Sequence, residues 1–159
     1  MSAITQRFER QEGAARHSLG VGVAGFGWMG RLHTQAYARV LHHFPQLPIA
    51  PELVAVADEA PGRAEEAAAQ FGFVTTTRDW REVAADPRVT AVSIAAPNFL
   101  HREIGVGMAQ AGKHIWIEKP VGLTTADARA VADAVKQAGV QGRSDSTTAT
   151  PRRSPPPVT

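Results

Sequence analysis

The chain has 159 residues, 43% of them hydrophobic, which suits a single domain with a buried core. It contains no cysteine, which excludes disulfides and cysteine-based metal sites. Residues 21–140 hold eleven Lys or Arg against twelve Asp or Glu, so the net charge of +2 comes from arginines nearer the two ends. Because nucleic-acid binding requires a basic face on the domain itself, we expect no nucleic-acid partner.

Residues 1–18 are polar and lack a sustained apolar period, which predicts a disordered leader. They also lack the apolar core of a signal peptide. No later stretch is long and apolar enough to span a membrane, so we expect a soluble, cytoplasmic protein without a membrane partner. Adjacent His42 and His43 point to different sides of a helix and lack further ligands, so no metal site is predicted. His33 is interpreted as a residue on the face of the same helix.

From residue 19 onward, short apolar runs alternate with longer segments of helical period. The runs predict five strands, over residues 19–24, 52–57, 73–75, 90–95 and 113–117. The segments between and after them predict helices over residues 28–44, 61–71, 79–85, 99–111 and from 124 or 125 to 138. The proline-rich residues 45–51 are expected to break any helix and lengthen the crossover. This alternation predicts the α/β class, a doubly wound parallel (Rossmann) sheet with strand order 3-2-1-4-5.

The first strand leads directly into the turn Gly25-x-Gly27-x-x-Gly30, which opens a helix. Gly25 permits a tight turn, Gly27 lets a pyrophosphate approach the backbone, and Gly30 lets the helix pack against the strand. The helix N-terminus presents N–H groups and a partial positive charge to phosphates. The turn therefore predicts a dinucleotide site, although a strand–helix turn of this composition also occurs without one.

Two later stretches add motifs: Ala96-Pro97-Asn98-x-x-His101, and residues 111–120, which read AGKHIWIEKP. With the glycine turn, they resemble the Gfo/Idh/MocA oxidoreductase family over about residues 20–140. The resemblance implies a two-domain, NAD- or NADP-dependent enzyme that oxidises or reduces a sugar, polyol or related small molecule. It leaves room for a homo-oligomer of the complete enzyme. The general base, commonly a His or Asp, lies in that family's second domain, which this chain is expected to lack.

Carried over by position, the resemblance assigns cofactor contacts to the glycine turn, where they fall on Gly25, Phe26, Gly27, Trp28, Met29 and Gly30. Asp58, at the end of the second strand, would accept hydrogen bonds from the adenosine ribose; the alternative is a cap on the next helix. Arg63 would instead favour a 2′-phosphate, so the choice between NAD and NADP stays open. Further cofactor-side positions are Ala96, Pro97, Asn98, His101 and Glu118, with capping or lining of the following helix as the alternative role of His101.

Lys119 matches the family's substrate-contacting lysine and is the one catalytic residue predicted. Oxidation of a carbinol develops negative charge on its oxygen, and a cation beside that oxygen stabilises it. Lysine is a compact donor whose pKa falls readily on desolvation. The alternative is a solvated lysine before the turn at Pro120.

Residues 142–159 are poor in apolar residues and rich in Ser, Thr, Pro and Arg, and they predict a disordered tail without a packed element. The domain is thus expected over residues 19–141, truncated after the fifth strand and its helix, with an unpaired edge on that strand. One back-translation from Gly142 onward, read two bases along, contains V-G-F-N-Y-R, which resembles the family's sixth strand. We therefore expect the tail to arise from a frameshift.

Two classes of function follow from these patterns. The first is the dinucleotide-binding part of an oxidoreductase, inactive by itself because the substrate domain and general base are missing. The alternative is a stand-alone nucleotide-binding module, either a sensor or a partner subunit, without catalysis. An interaction protein that binds no nucleotide would require the glycine turn to be incidental.

Overall fold

The computed structural model describes residues 16–144. Six strands form, β1 (His17–Ala24), β2 (Ile49–Ala57), β3 (Thr75–Thr77), β4 (Ala91–Ile94), β5 (His114–Ile117) and β6 (Gly142–Ser144). Five helices connect them, α1 (Trp28–His43), α2 (Arg63–Phe71), α3 (Trp80–Ala85), α4 (His101–Gln110) and α5 (Thr125–Ala138), with a 3-10 turn at Asn98–Leu100 before α4. No helix within residues 16–144 is long and apolar enough to cross a membrane.

The strands make one parallel sheet in the order β3-β2-β1-β4-β5-β6. The chain builds outward from β1 to β3 on one side and then returns to build from β4 to β6 on the other. The order therefore reverses between β1 and β4, where Ala24 pairs with Ile94. This confirms the doubly wound class and creates a crevice at the carboxyl ends of these two strands.

Helices cover both faces of the sheet, and consecutive strand residues therefore enter different cores. Val23 and Val56 belong to one apolar cluster, which also contains side chains from α2. Ala24 and Ala57 belong to the other, which contains side chains from α3, α4 and α5. Burial on both faces explains why β1 and β2 read as continuous apolar runs rather than as alternating ones.

The sheet begins earlier in the chain than the sequence predicts. His17 and Ser18, assigned to the leader, belong to β1, because His17 N–H donates to the Pro48 carbonyl oxygen and the residue pairs with Ile49. Pro51, expected in a break, lies inside β2. A proline is tolerated there because β3 pairs only with residues 55–57 of β2, so the missing N–H removes no bond to a neighbouring strand on that side. The rest of the predicted leader, residues 1–15, lies outside the described residues.

A sixth strand also forms where the sequence predicts none. The prediction that nothing packs from Gly142 onward is wrong for Gly142–Ser144, which pair with Ile115–Ile117 of β5. The edge of β5 is therefore occupied, and Ile115 N–H donates to the Gln141 carbonyl oxygen at 2.8 Å. Strand pairing uses backbone groups, so a polar segment can form a strand once α5 has returned the chain to the edge of the sheet. The rest of the predicted tail, residues 145–159, lies outside the described residues.

Lys113 supports the start of β5 from inside the protein. It is buried, and its ammonium donates to the carbonyl oxygens of Asp86 and Val89, each at 2.8 Å. Burial lowers the pKa of Lys113 from its ordinary value, and the Asp86 carboxylate offsets part of that shift. Lys113 therefore joins β5 to the loop that precedes β4.

A Lys113→Met variant is expected to lose about 1–3 kcal/mol of unfolding free energy, because the Val89 carbonyl oxygen loses this buried donor. The loss should grow as pH rises from the folded-state pKa toward the ordinary value of 10.5. In that window the unfolded wild-type chain holds a proton that the folded chain has released, so the wild-type chain gains stability with pH. Urea unfolding of both chains near neutrality and at about pH 10 measures the difference. A smaller difference at the higher pH would contradict the sign.

Candidate functional site

The turn between β1 and α1 contains two glycines that the fold itself requires. Gly25 has a φ of +89°, and its N–H donates to the Ala57 carbonyl oxygen at 2.8 Å. A Cβ added at Gly25 would lie 2.5 Å from the Ala96 nitrogen, and one added at Gly30 would lie 2.1 Å from the Gly25 carbonyl oxygen. Only glycine permits these close approaches, and they bring the turn against the end of β4.

Gly27 differs from the other two glycines of the turn, because a Cβ there would meet no atom within 4 Å. Its φ of −73° is accessible to other residues, so the fold does not require glycine at this position. Gly27 is the N-cap of α1, which has no side-chain cap and no acidic residue in its first turn. Open space beside uncapped N–H groups, at the positive end of a helix, fits a pyrophosphate.

Asp58 follows β2 directly and joins it to the glycine turn. Its carboxylate is buried and accepts from Phe26 N–H at 2.7 Å and from Ala60 N–H at 2.9 Å, with a guanidinium nitrogen of Arg63 at 3.4 Å. The helix-cap alternative is not what the structure shows, since α2 begins after Gly62 without a side-chain cap. Asp58 is therefore a structural partner of the turn as well as a candidate ribose ligand.

The Phe26 side chain points away from the crevice, although the sequence groups this residue with the cofactor contacts. Its ring is buried and packs edge to face on Phe71 and Phe73. Its backbone N–H is the group that Asp58 accepts from. Phe26 therefore supports the turn from the core.

A cavity of about 230 Å³ lies at the carboxyl ends of β1, β2 and β4. Its lining includes Gly25, Asp58, Arg63, Arg78, Ala96 and Pro97. Arg78, which the sequence analysis did not single out, donates to the Glu59 carbonyl oxygen at 2.8 Å. A buried carboxylate and two guanidinium groups thus border one cavity, as a site for a polar, phosphate-bearing ligand would require.

A second cavity, of about 310 Å³, lies beside the first at the carboxyl ends of β4 and β5. Its lining includes Trp28, Met29, Asn98, His101, Glu118 and Lys119, all of them predicted site residues. Ala96 borders both cavities, and the glycine turn lies where they adjoin. The sheet order therefore brings three separate sequence motifs to one edge of the sheet, beside two adjoining cavities.

His101 joins the two loops that border the second cavity. It is fully buried, and its ring nitrogens lie 2.7 Å from the Pro120 carbonyl oxygen and 2.8 Å from that of Ala96. Neither partner is an N–H of α4, so His101 does not cap that helix. Its ring instead fixes the loop after β4 relative to the loop after β5, next to Lys119.

A partly buried polar network adjoins the second cavity through Glu118, and the sequence motifs do not predict most of it. His33 joins Ser93 and Glu118 at 3.1 and 2.8 Å, and Tyr37 joins Ser93 at 2.9 Å. Burial raises the pKa of Tyr37, and the hydrogen bond with Ser93 offsets part of the rise. His33 is thus not simply a residue on a helix face. Its spacing of four residues from Tyr37 places both on one side of α1, and that is the signal the sequence offers.

Lys119 is exposed at the second cavity, whereas the neighbouring Glu118 is buried. The lysine cation therefore borders the crevice without being enclosed by protein. Within residues 16–144, no group of three or more His, Cys, Asp or Glu side chains is placed to hold a metal ion. The second cavity is thus bordered by one ammonium, that of Lys119, and one buried carboxylate, that of Glu118, close to the first residues of α1.

Relatives of known sequence match most of this chain. Levoglucosan dehydrogenase from Pseudarthrobacter phenanthrenivorans is 43% identical over 123 residues, which are 77% of this chain and 32% of that protein. The scyllo-inositol 2-dehydrogenase (NAD(+)) of Bacillus subtilis is 33% identical over 124 residues, 78% of this chain and 34% of that protein. The chain thus spans about a third of the length of these relatives.

Solved structures agree with the fold. Levoglucosan dehydrogenase in complex with NADH and levoglucosan has a TM-score of 0.77 and 41% identity, covering 80% of this chain and 35% of that one. An NAD-binding oxidoreductase from Klebsiella pneumoniae has a TM-score of 0.76 and 38% identity, covering 80% and 34%. The family model described as "Oxidoreductase family, NAD-binding Rossmann fold" matches residues 19–145. The chain therefore belongs to the Gfo/Idh/MocA oxidoreductase family, and residues 19–145 carry its NAD-binding Rossmann fold.

Proposed function

We propose that this chain binds NAD across the carboxyl edge of its sheet and forms the dinucleotide-binding part of a dehydrogenase for a sugar, polyol or related small molecule. The observation that supports this most directly is the pair of adjoining cavities, bordered by Asp58 at one end and Lys119 at the other. Dinucleotides in doubly wound sheets lie across the reversal of strand order, as this crevice does. The substrate class follows the names of relatives that act on levoglucosan and scyllo-inositol.

The adenosine half is proposed to occupy the cavity beside Asp58. A carboxylate offers about four lone-pair sites, and two backbone N–H groups use only part of that capacity, so Asp58 can still accept from ribose hydroxyls. Its negative charge opposes a 2′-phosphate, which Arg63 and Arg78 would attract. Because the carboxylate is buried and directly anchored to the turn, we expect NADH to bind more tightly than NADPH.

The pyrophosphate is proposed to lie over Gly27 at the N-terminus of α1, which directs the nicotinamide half into the second cavity. A bound nicotinamide would supply the hydride acceptor or donor there. Lys119 is proposed to contact the substrate oxygen, where its ammonium stabilises the negative charge that develops as the carbinol is oxidised. Trp28 and Met29 border the same cavity and would exclude water from part of it.

A Gly27→Val variant tests the dinucleotide site with little change to the fold. Because no atom lies within 4 Å of the added Cβ, the variant should fold, while its side chain occupies the space proposed for the pyrophosphate. We expect NADH affinity, measured by titration calorimetry on the purified chain, to fall at least about tenfold, equivalent to about 1.4 kcal/mol.

Ala36→Val is the control, because it places a valine side chain at an exposed position of α1 away from both cavities. It should bind NADH as the wild-type chain does. Failure of the wild-type chain to bind NADH, or equal affinity of the Gly27→Val chain, would contradict the proposed site. Parallel titrations with NADPH test the expected cofactor preference.

A further inference from the structure

Glu118 is a carboxylate whose two oxygens are both engaged inside the protein. Its side chain is 8% exposed, Oε1 lies 2.8 Å from His33 Nε2, and Oε2 accepts from the Lys119 backbone N–H at 3.3 Å. A carboxylate at this depth is tolerated only when it is hydrogen-bonded or paired. His33 is therefore the side chain that makes the burial of Glu118 tolerable.

The His33 ring is held in one orientation by groups from several elements. A carboxylate only accepts, so Nε2 donates to Oε1 of Glu118, and Nδ1 lies 3.1 Å from the Ser93 hydroxyl oxygen. The Ser93 hydroxyl also forms a hydrogen bond with the Tyr37 hydroxyl, at 2.9 Å. The Trp116 ring meets His33 edge to face, with centroids 6.3 Å apart. The ring is thus held between Glu118 and Ser93, with both of its nitrogens within hydrogen-bond distance of an oxygen.

Lys119 is the residue that this arrangement affects. It directly follows Glu118 and borders the same cavity, yet within residues 16–144 its ammonium joins no ion pair. We propose that His33 is a positioning residue for Lys119. By holding the Glu118 carboxylate, His33 keeps it away from the neighbouring ammonium, which stays available to a ligand in the second cavity.

Removal of the His33 ring would release Oε1 of Glu118 at the cavity that Lys119 also borders. An ammonium beside a free carboxylate is stabilised in its protonated form and reacts more slowly with acylating agents, which need the neutral amine. The importance of Lys119 to a ligand rests on the proposed function, but its reactivity is a property of the ligand-free chain. A failure of NADH binding and a failure of this inference are therefore distinguishable.

The test is the acylation rate of Lys119 by succinimidyl acetate near pH 8 in the full chain, measured by peptide mass spectrometry. The exposed Lys136 of α5 is the internal standard. In His33→Ala we expect Lys119 to react about three- to tenfold more slowly relative to Lys136, because the released Glu118 carboxylate can come closer to the ammonium. His33→Gln, whose amide N–H can donate to Glu118, should restore most of the wild-type rate.

Two Glu118 variants separate the charge effect from structural damage. In His33→Ala/Glu118→Gln the slow rate should return to the wild-type value, because no carboxylate remains to hold the ammonium. A slow rate that persists in the double variant would assign the effect to structural damage and overturn the proposal. Glu118→Gln alone should change the rate less than about twofold, since His33 already holds the carboxylate away from the ammonium. A larger acceleration would show that Glu118 already pairs with Lys119 in the wild-type chain, which also overturns it, as does an unchanged rate in a folded His33→Ala chain.

Discussion

An Asp58→Ala variant is expected to lose both folding stability and NADH binding. The Asp58 carboxylate accepts from Phe26 N–H at 2.7 Å and from Ala60 N–H at 2.9 Å, and Phe26 itself is buried. Removal of the carboxylate leaves a buried donor unpaired, so we expect the free energy of unfolding to fall by about 2–3 kcal/mol. NADH affinity should fall more than about tenfold, because the ribose ligand and the support of the glycine turn disappear together.

Asp58→Asn provides an intermediate test of the same residue. Its single amide oxygen can accept from one of the two backbone groups, so about half of the stability loss is expected. Glu59→Ala is the charge-matched control, because it removes an exposed carboxylate from the border of the same cavity. Denaturant unfolding and NADH titration read the two effects separately. Wild-type stability together with wild-type affinity in Asp58→Ala would show that this carboxylate serves neither the turn nor the cofactor.

The sequence predicts the sheet well because the signals that define it are local. Runs such as residues 53–57 are apolar on both sides, which is typical of a strand covered by helices on both faces. The turn at Gly25 is equally local, since its positive φ is a property of that one residue. Element boundaries near Pro51 were harder, because the tolerance of a proline there depends on which strand is its neighbour.

Pairings between distant residues were not accessible from single motifs. His33 and Glu118 each carry a recognisable feature, but their contact depends on α1 packing where β4 and β5 meet. Lys113 reads as an ordinary part of the fifth strand, although its ammonium lies inside the protein. The strand at Gly142–Ser144 has no apolar pattern, because its pairing uses the backbone alone. In each case the missing information is three-dimensional proximity, which composition and period do not contain.

The candidate site combines residues that local motifs predict with contacts between distant residues that they do not. The glycine turn, the Ala96–Asn98 stretch and Lys119 were each selected from sequence motifs, and the sheet order brings them to one crevice. A parallel sheet makes this convergence predictable, since the carboxyl ends of neighbouring strands share an edge. What the motifs did not reveal is that Asp58 and Glu118 already have partners inside the protein. A functional role for either carboxylate must therefore be compatible with the hydrogen bonds that it already makes inside the protein.

A Gly30→Ala variant is expected to lose more free energy of unfolding than a variant with one methyl group added at any other position of α1. Within a helix, replacement of glycine by alanine normally stabilises by about 0.5–1 kcal/mol. At Gly30 the new Cβ would lie 2.1 Å from the Gly25 carbonyl oxygen and 3.5 Å from a methyl group of Val23. The clash is with backbone, which cannot rotate away, so we expect a net loss of about 3 kcal/mol or more.

Gly27→Ala is the control for this prediction, because it adds the same methyl group three residues earlier, where nothing lies within 4 Å. Its stability should change by less than about 1 kcal/mol, the usual range for an N-cap of this type. Guanidinium unfolding of the three chains distinguishes the two positions. Equal stabilities for Gly30→Ala and Gly27→Ala would mean that α1 can move away from β1 at little cost. The helix N-terminus would then not be fixed at the crevice, and the geometric argument for phosphate binding at Gly27 would fail together with the prediction for Gly30.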